Sequence, residues 1–290
     1  MQDAIVKAAA LVEAQEYIRR FKDKIIVVKV GGSIMDVPEQ LRAVVNDVCF
    51  MASVGMRPIL VHGGGKGITA AMEQAGLEAQ FVQGRRYTDE PTLAIAEHVL
   101  VNEINASIGQ MVSDLGFRAM GLHSLASCAV FGKRLFLKGE QGRKIDIGFV
   151  GEVDWVNADL LHALTQAGVI PIIAPIARDA SGSKLNINAD SVAGHVAAAT
   201  RCEKLVLVSD THGIRLSEDV NDLASHLTRA KIEELIDTGV ITEGMLPKVE
   251  ASFAALDGGV PKAAIVDGRI AHALLLEVYT DQGIGTEIVL

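Results

Sequence analysis

The 290-residue chain is poor in aromatic side chains, which make up 4% of it, so its core must be filled by Ala, Val, Leu and Ile. Cysteine is scarce and scattered. Cys49, Cys128 and Cys202 form no CxxC pair, and their odd number fits buried thiols of a reducing cytoplasm rather than a disulfide framework. The eight histidines include no HExxH pattern and no zinc quartet, so no protein-bound metal site is expected. Positive charge is in deficit, with 27 Lys and Arg against 36 Asp and Glu and a net charge of −9. That balance argues against nucleic acid as a partner, although a local basic pocket for a small anion stays open. No apolar run suits a bilayer: the longest, Gly168 to Ala177, is cut by Pro171 and Pro175. No signal-peptide pattern is expected either, because Glu13, Glu16, Arg19 and Arg20 break any apolar stretch at the start.

What is abundant is apolar aliphatic sequence and glycine. Hydrophobic residues reach 49% and glycines number 28, and the glycines follow short β-branched runs. Lys24 to Val30 stops at Gly31-Gly32, and Arg57 to Val61 stops before Gly63-Gly64-Gly65. Such runs read as buried parallel strands. Val169 to Ile173, Lys204 to Val208 and Ala263 to Val266 extend the set. Between them the sequence predicts helices over 2–22, 38–54, 66–74, 189–199, 246–256 and 270–278, with Pro38 suited to a first turn. Residues 131–153, alternating and punctuated by glycine, read as hairpins. Strands alternating with helices imply one three-layer αβα domain with a mostly parallel central sheet, two lobes and an N-terminal helical extension. Ligands of such sheets bind beyond the strands' carboxyl ends, where the glycine clusters fall.

Five segments there could carry chemistry. Lys29 ends a buried strand, so its ammonium must meet an anion or reach solvent; Gly31-Gly32 after it expose backbone N–H groups suited to anions. His62-Gly63-Gly64-Gly65-Lys66 lets backbone approach a ligand ahead of a helix N-terminus. It lacks the Walker A spacing. Gly65, Gly67 and Ala70 match the GxGxxA dinucleotide pattern, but the acidic partner that pattern needs, Asp89, follows no convincing strand. Arg85-Arg86 offers a fork for a carboxylate, or is a solvated turn. In Asn186-Ile187-Asn188-Ala189-Asp190 the Asn and Asp side chains serve either as helix caps or as substrate donor and ammonium organiser. Gly244-Met245-Leu246-Pro247-Lys248 places a lysine in a first helical turn, where the dipole disfavours a cation unless an anion or solvent meets it.

In this order, the five segments resemble the amino acid kinase family over nearly the whole chain, and within it the arginine-sensitive branch acting on N-acetyl-L-glutamate. The 267–286 segment, from Asp267-Gly268-Arg269 to Gly285-Thr286, and the helix around Tyr17-Ile18-Arg19-Arg20-Phe21 are similar to that branch. The resemblance implies the amino acid kinase fold, with residues 1–22 as an oligomerisation helix, about 23–180 as the substrate lobe and about 181–290 as the nucleotide lobe. It implies ATP-dependent phosphorylation of the side-chain carboxylate of N-acetyl-L-glutamate in arginine biosynthesis, in the cytoplasm. Lys29 and Lys248 would stabilise the transferred phosphoryl group and Asp190 would orient both. Gly64, Gly65, Arg86 and Asn186 would bind the acyl amino acid, and Gly31, Gly32, Ser209, Asp210, Gly244 and Lys248 the nucleotide, with Mg²⁺ held mainly by ATP phosphates. Feedback L-arginine would sit among Tyr17, His272, Glu277, Gly283 and Gly285, the Glu277 carboxylate taking its cationic group and the glycine N–H groups its carboxylate. A hexamer built as a trimer of dimers, and a PII-type regulator, would be partners. The sequence departs from the family at Ser209-Asp210-Thr211-His212, at 121–126, at Glu243 and at Arg85. N-acetyl-aminoadipate as substrate, or a non-catalytic arginine-binding regulator, are the alternatives.

A carboxylate nucleophile is already ionised at neutral pH, so the absence of any Ser-His-Asp or Cys-His arrangement fits this chemistry. The demand is electrostatic: an anion must meet a polyphosphate, and fixed positive charge and N–H groups must hold the two in line.

Overall fold

The computed structural model describes residues 2–123, 128–139, 142–217, 219, 222–242, 244–280 and 283–290. The departures at 124–126 and Glu243 lie outside the described residues. In chain order the elements begin with α1 (Gln2–Phe21), β1 (Ile25–Val30), a 3-10 turn (Gly32–Asp36), α2 (Pro38–Ser53), β2 (Arg57–His62), α3 (Gly65–Gln74), β3 (Phe81–Val82) and β4 (Arg85–Arg86). Next come α4 (Glu90–Glu97), a π-helix (His98–Asn105), α5 (Ala106–Asp114), β5 (Arg118–Leu122), β6 (Val130–Lys138), β7 (Lys144–Val156), α6 (Ala158–Gln166), β8 (Val169–Ile173) and β9 (Ile176–Arg178). The last are β10 (Lys184–Ile187), α7 (Ala189–Thr200), β11 (Lys204–Ser209), β12 (His226–Thr228), α8 (Arg229–Asp237), α9 (Leu246–Asp257), β13 (Ala263–Asp267), α10 (Ala273–Val278) and β14 (Thr286–Val289).

Eight strands form the central sheet in the order β12-β14-β13-β11-β1-β2-β8-β5. From β13 to β5 every pairing is parallel, and β14 turns antiparallel on β13. β6, β7, β9 and β10 close a small barrel beside it, and β3–β4 is a short hairpin. No described helix is long and apolar enough to cross a membrane. The three cysteines are free thiols, Cys49 and Cys202 among them buried.

The period of two along β1 builds the layers. Ile25 and Val27 pack with Val192, Val196 and Val249 on one face, while Ile26, Val28 and Val30 pack with Val44, Val48 and Leu274 on the other. Lys29 therefore comes up on the face that carries α7. There α7 and α9 lie backbone to backbone: a Cβ on Gly194 would stand 2.5 Å from the Ala251 carbonyl oxygen. That close packing sets the N-terminal turns of the two helices, with Asp190 and Lys248, near the end of β1. At the chain start, Tyr17 and Ile18 pack on the second face and the Phe21 ring meets Tyr279 edge-on at 6.5 Å, whereas Ile5 and Val12 are exposed.

Candidate active site

The Lys29 ammonium lies 2.8 Å from Asp190 Oδ1, both side chains more than nine-tenths buried. The contact is an ion pair between two buried groups. Gly31 makes room for it, since a Cβ there would collide with Lys29 Nζ. Burial pushes the Asp190 carboxyl upward, but Lys29 and Lys248 outweigh it and hold the pKa below the ordinary range. Lys248 is depressed, first by burial and then by the like charge of Lys29, against the pull of Asp190 and Asp210. Two lysines from different elements thus share one carboxylate, and neither is a solvated surface charge.

Gly32 is the residue whose backbone requires glycine: its φ is +65°, and a Cβ would stand 2.6 Å from Asp210 Oδ1. Asp210 turns toward this loop and accepts a hydrogen bond from the Ser33 N–H at 3.0 Å, and the Ser209 hydroxyl donates to it at 3.3 Å. Gly244 sits in an exposed turn ahead of α9, with nothing near where its side chain would be.

Beside these groups a cavity of about 260 Å³ is lined by Lys29, Gly32, Gly64, Gly65, Arg86, Asn186 and Asp190, among others. The Arg86 guanidinium is fixed from one side. It donates to the Gly65 carbonyl at 2.9 Å and the Thr69 hydroxyl at 2.7 Å, and lies 4.8 Å over the Phe81 ring. Asn186 Nδ2 donates to the Thr88 hydroxyl at 3.3 Å. The capping duties fall elsewhere: Asn188 caps α7 by accepting from the Ser191 N–H, and Asp89 caps α4 by accepting from the Thr92 N–H. Asn186 and Asp190 are thereby released from the cap role, and the dinucleotide pattern loses its acidic partner. Arg85 also lines this cavity. Lys66 stays outside it, in an exposed pair with Asp36 at 2.8 Å.

A larger cavity of about 730 Å³ opens at the chain ends, lined by Tyr17, Glu277, Gly283 and Gly285 together with Lys204 and His226. Two of the residues expected at an effector site make other contacts here. His272 does not line it: at φ +57° it precedes α10, and its Nδ1 sits 2.8 Å from Asp47 Oδ1 on α2. Nor is the Glu277 carboxylate free. It is buried and accepts from Lys204 Nζ at 2.6 Å and from the Ile284 and Gly285 N–H groups at 3.0 and 3.1 Å. The loop glycines thus serve Glu277 itself, and Gly283, at φ +60°, leaves space for it. Lys204 was missed in the sequence, although a lysine opening a buried strand is the same signal that singled out Lys29.

Comparison with known proteins agrees in kind. The Amino acid kinase family matches residues 24–267. An acetylglutamate kinase of Symbiobacterium thermophilum is 43% identical over 290 residues, covering 99% of each chain. One from Methanothrix thermoacetophila is 42% identical over 285 residues, covering 97% of this chain and 98% of its own. Among solved structures, N-acetylglutamate synthase of Neisseria gonorrhoeae with coenzyme A and N-acetyl-glutamate superposes with a TM-score of 0.86 at 22% identity. It matches 98% of this chain, which spans 63% of that longer one. Carbamate kinase of Giardia lamblia bound to citric acid gives 0.63 at 14% identity, over 92% of this chain and 98% of that one.

Proposed function

The chain belongs to the amino acid kinase family, and from that premise we propose that it transfers the γ-phosphoryl group of ATP to the side-chain carboxylate of N-acetyl-L-glutamate, in the cytoplasm, as a step of arginine biosynthesis. The observation that carries this reading is the buried Lys29–Asp190 pair on the cavity wall, with the Lys248 charge close enough to act on both. Three charges held together at low exposure cost folding energy that a merely structural site would avoid. The same intact set weighs against a non-catalytic regulator.

In the reaction a carboxylate oxygen forms a bond to Pγ while the bond from Pγ to the β–γ bridging oxygen breaks, and ADP leaves. Lys29 and Lys248 neutralise charge on the phosphoryl group in flight, and Asp190 keeps both ammonium groups aimed there. Arg86 and Asn186 hold the α-carboxylate, while the N–H groups of Gly32, Gly64 and Gly65 meet phosphate and substrate oxygens. Gly31, Ser209, Asp210 and Gly244 belong to the nucleotide side. Among the described residues no three His, Cys, Asp or Glu side chains cluster as metal ligands. Mg²⁺ would be carried mainly by the ATP phosphates, where it would offset their charge.

An ATP-dependent hydroxamate assay tests the reading. N-acetyl-L-glutamate is expected to be trapped as its hydroxamate with a higher kcat/KM than N-acetyl-aminoadipate. The reverse order would reassign the substrate, and no product from either would sink the proposal. In the same assay Arg86→Lys keeps the charge but loses the planar fork. We expect KM for the acyl amino acid to rise on the order of tenfold while KM for ATP stays put; a shift in the ATP value instead would move Arg86 to the other half of the site.

The second cavity is read as the site of feedback inhibition by L-arginine, with Tyr17, Glu277, Gly283 and Gly285 on its wall. Glu277 would share its carboxylate between Lys204 and the effector. The exposed Ile5 and Val12 of α1 support an oligomerising helix and hence a hexamer, a trimer of dimers; docking of a PII-type regulator completes the same reading. Millimolar arginine should lower activity of the full chain, and removing residues 1–21 should lower the native mass. Unchanged activity counts against the effector site, and an unchanged mass against the helix.

A further inference from the structure

Behind the glycine loop lies a buried polar group that the reaction as described does not use. His62 ends β2 and is fully buried; its Nδ1 is 2.9 Å from the carbonyl oxygen of Gly63, the next residue. Its Nε2 is 3.0 Å from Asn105 Nδ2, and the same Nδ2 donates to the Ile172 carbonyl at 2.9 Å. Asn105 is itself buried, at the end of the π-helix, a type of turn often found at functional sites. Gly121 gives its Oδ1 the space a Cβ would fill.

This geometry fixes a proton. The Ile172 carbonyl can only accept, so the Asn105 amide must turn its NH₂ that way, and the second N–H of that group then points at His62 Nε2. Nε2 must accept, and the proton of a neutral ring must therefore sit on Nδ1. Burial keeps the ring neutral by pushing its pKa down to about 4. Nδ1–H donates to the Gly63 carbonyl, while the Gly63 N–H donates to the Val30 carbonyl at 2.8 Å, one residue beyond Lys29. In a trans peptide, C=O and N–H point in opposite directions. Drawing the Gly63 carbonyl back to the ring turns the Gly64 N–H outward, and among the described residues no acceptor takes that N–H.

We propose that His62 is a positioning residue: held as its Nδ1–H tautomer by Asn105, it anchors the Gly63–Gly64 peptide so that the Gly64 N–H is presented to the reacting anions. The inference deepens the kinase reading of the cavity and rests on it.

The test has two parts. Nitrogen-15 NMR of the histidine-labelled full-length chain near pH 7 should find His62 in the Nδ1–H form; an Nε2–H ring would overturn the proposal. Kinetics then compare His62→Asn, whose side-chain amide can replace Nδ1–H as donor, with His62→Leu, which cannot. His62→Leu should lose about 10²-fold in kcat, the scale of one oxyanion-type donor, with KM for ATP unchanged. His62→Asn should recover most of it, although its side chain fills the space no better than leucine. Equal losses in the two variants, or a loss confined to KM for ATP, would overturn the positioning role. If His62→Leu does not fold, Asn105→Leu is the second probe and should show the same drop in kcat; wild-type kcat there would overturn the proposal. A wild-type chain inactive on every acyl amino acid would instead defeat the kinase reading, and the tautomer would still decide the geometry proposed here.

Discussion

Lys29→Ala is expected to lose both turnover and stability, whereas Lys248→Ala should lose turnover alone. In the proposed mechanism each would remove one fixed charge from the transferred group, at about 3–4 kcal/mol or 10²–10³ in kcat. Their structural surroundings differ. Lys29 is the direct partner of buried Asp190 at 2.8 Å, and its removal leaves a carboxylate that burial pushes upward with less to oppose it. Breaking one side of a buried pair costs about 3–5 kcal/mol; because Lys248 still faces Asp190, the lower figure is expected. Lys248 has a pKa lowered in the folded chain, so its charged form is disfavoured by folding and alanine should leave stability equal or improved. Asp190 has its pKa lowered, so its contribution is present above the unfolded carboxyl value of about 3.9 and is lost as pH falls through the folded one. Urea titrations beside steady-state kinetics separate the effects. Lys29→Ala/Asp190→Asn should regain stability and stay inactive; wild-type turnover in either lysine variant would remove that lysine from the mechanism.

The second large effect is expected at the far cavity, and it is unequal across one ion pair. Lys204→Met leaves Glu277 buried with only the Ile284 and Gly285 N–H groups, and should cost about 3–5 kcal/mol. Glu277→Gln keeps an oxygen for those two donors, and Lys204 retains a contact with Glu287 at 3.5 Å; its cost should be near half of that. The double variant should recover much of the loss. Both single variants should blunt arginine inhibition, since each disturbs the wall on which the effector would rest. Chemical denaturation with arginine titration at each step gives both readouts. A Glu277→Gln chain less stable than Lys204→Met would mean that the lysine, not the carboxylate, is the group this site cannot leave unpaired.

What could be read from the sequence follows from where local pattern and tertiary contact coincide. β1, β2, β8, β11 and β13 were legible because parallel strands buried on both faces are continuous apolar runs. Lys29 stood out because charge interrupts such a run. β5, with its exposed Arg118 and its Gly121, and the short strands β12 and β14 lack that signature. The π-helix over His98–Asn105 could not be read at all, because its periodicity in so short a stretch is that of an ordinary helix. At the site, Asn188 rather than Asn186 proved to be the cap, a choice of two identical side chains two residues apart that only the backbone decides. Glu277 was recognised as special, but its partner Lys204 lies 73 residues away in the chain, and no spacing rule connects them.

The contact between α7 and α9 bears on how tolerance to substitution would be mapped along this chain. Gly194 lies one helical turn after Asp190 and faces the Ala251 backbone. Any side chain there must push α9 outward, and Lys248 rides on that helix. A library scored only by growth or product formation would therefore rank Gly194 alongside the residues of the reaction centre, although it meets no ligand. Abundance measured in parallel separates the two classes: a Gly194 variant should lose protein together with activity, whereas Lys248→Ala should keep its protein and lose only the reaction. Intolerance at Gly194 would in this sense be a cost of bringing two helices within backbone contact.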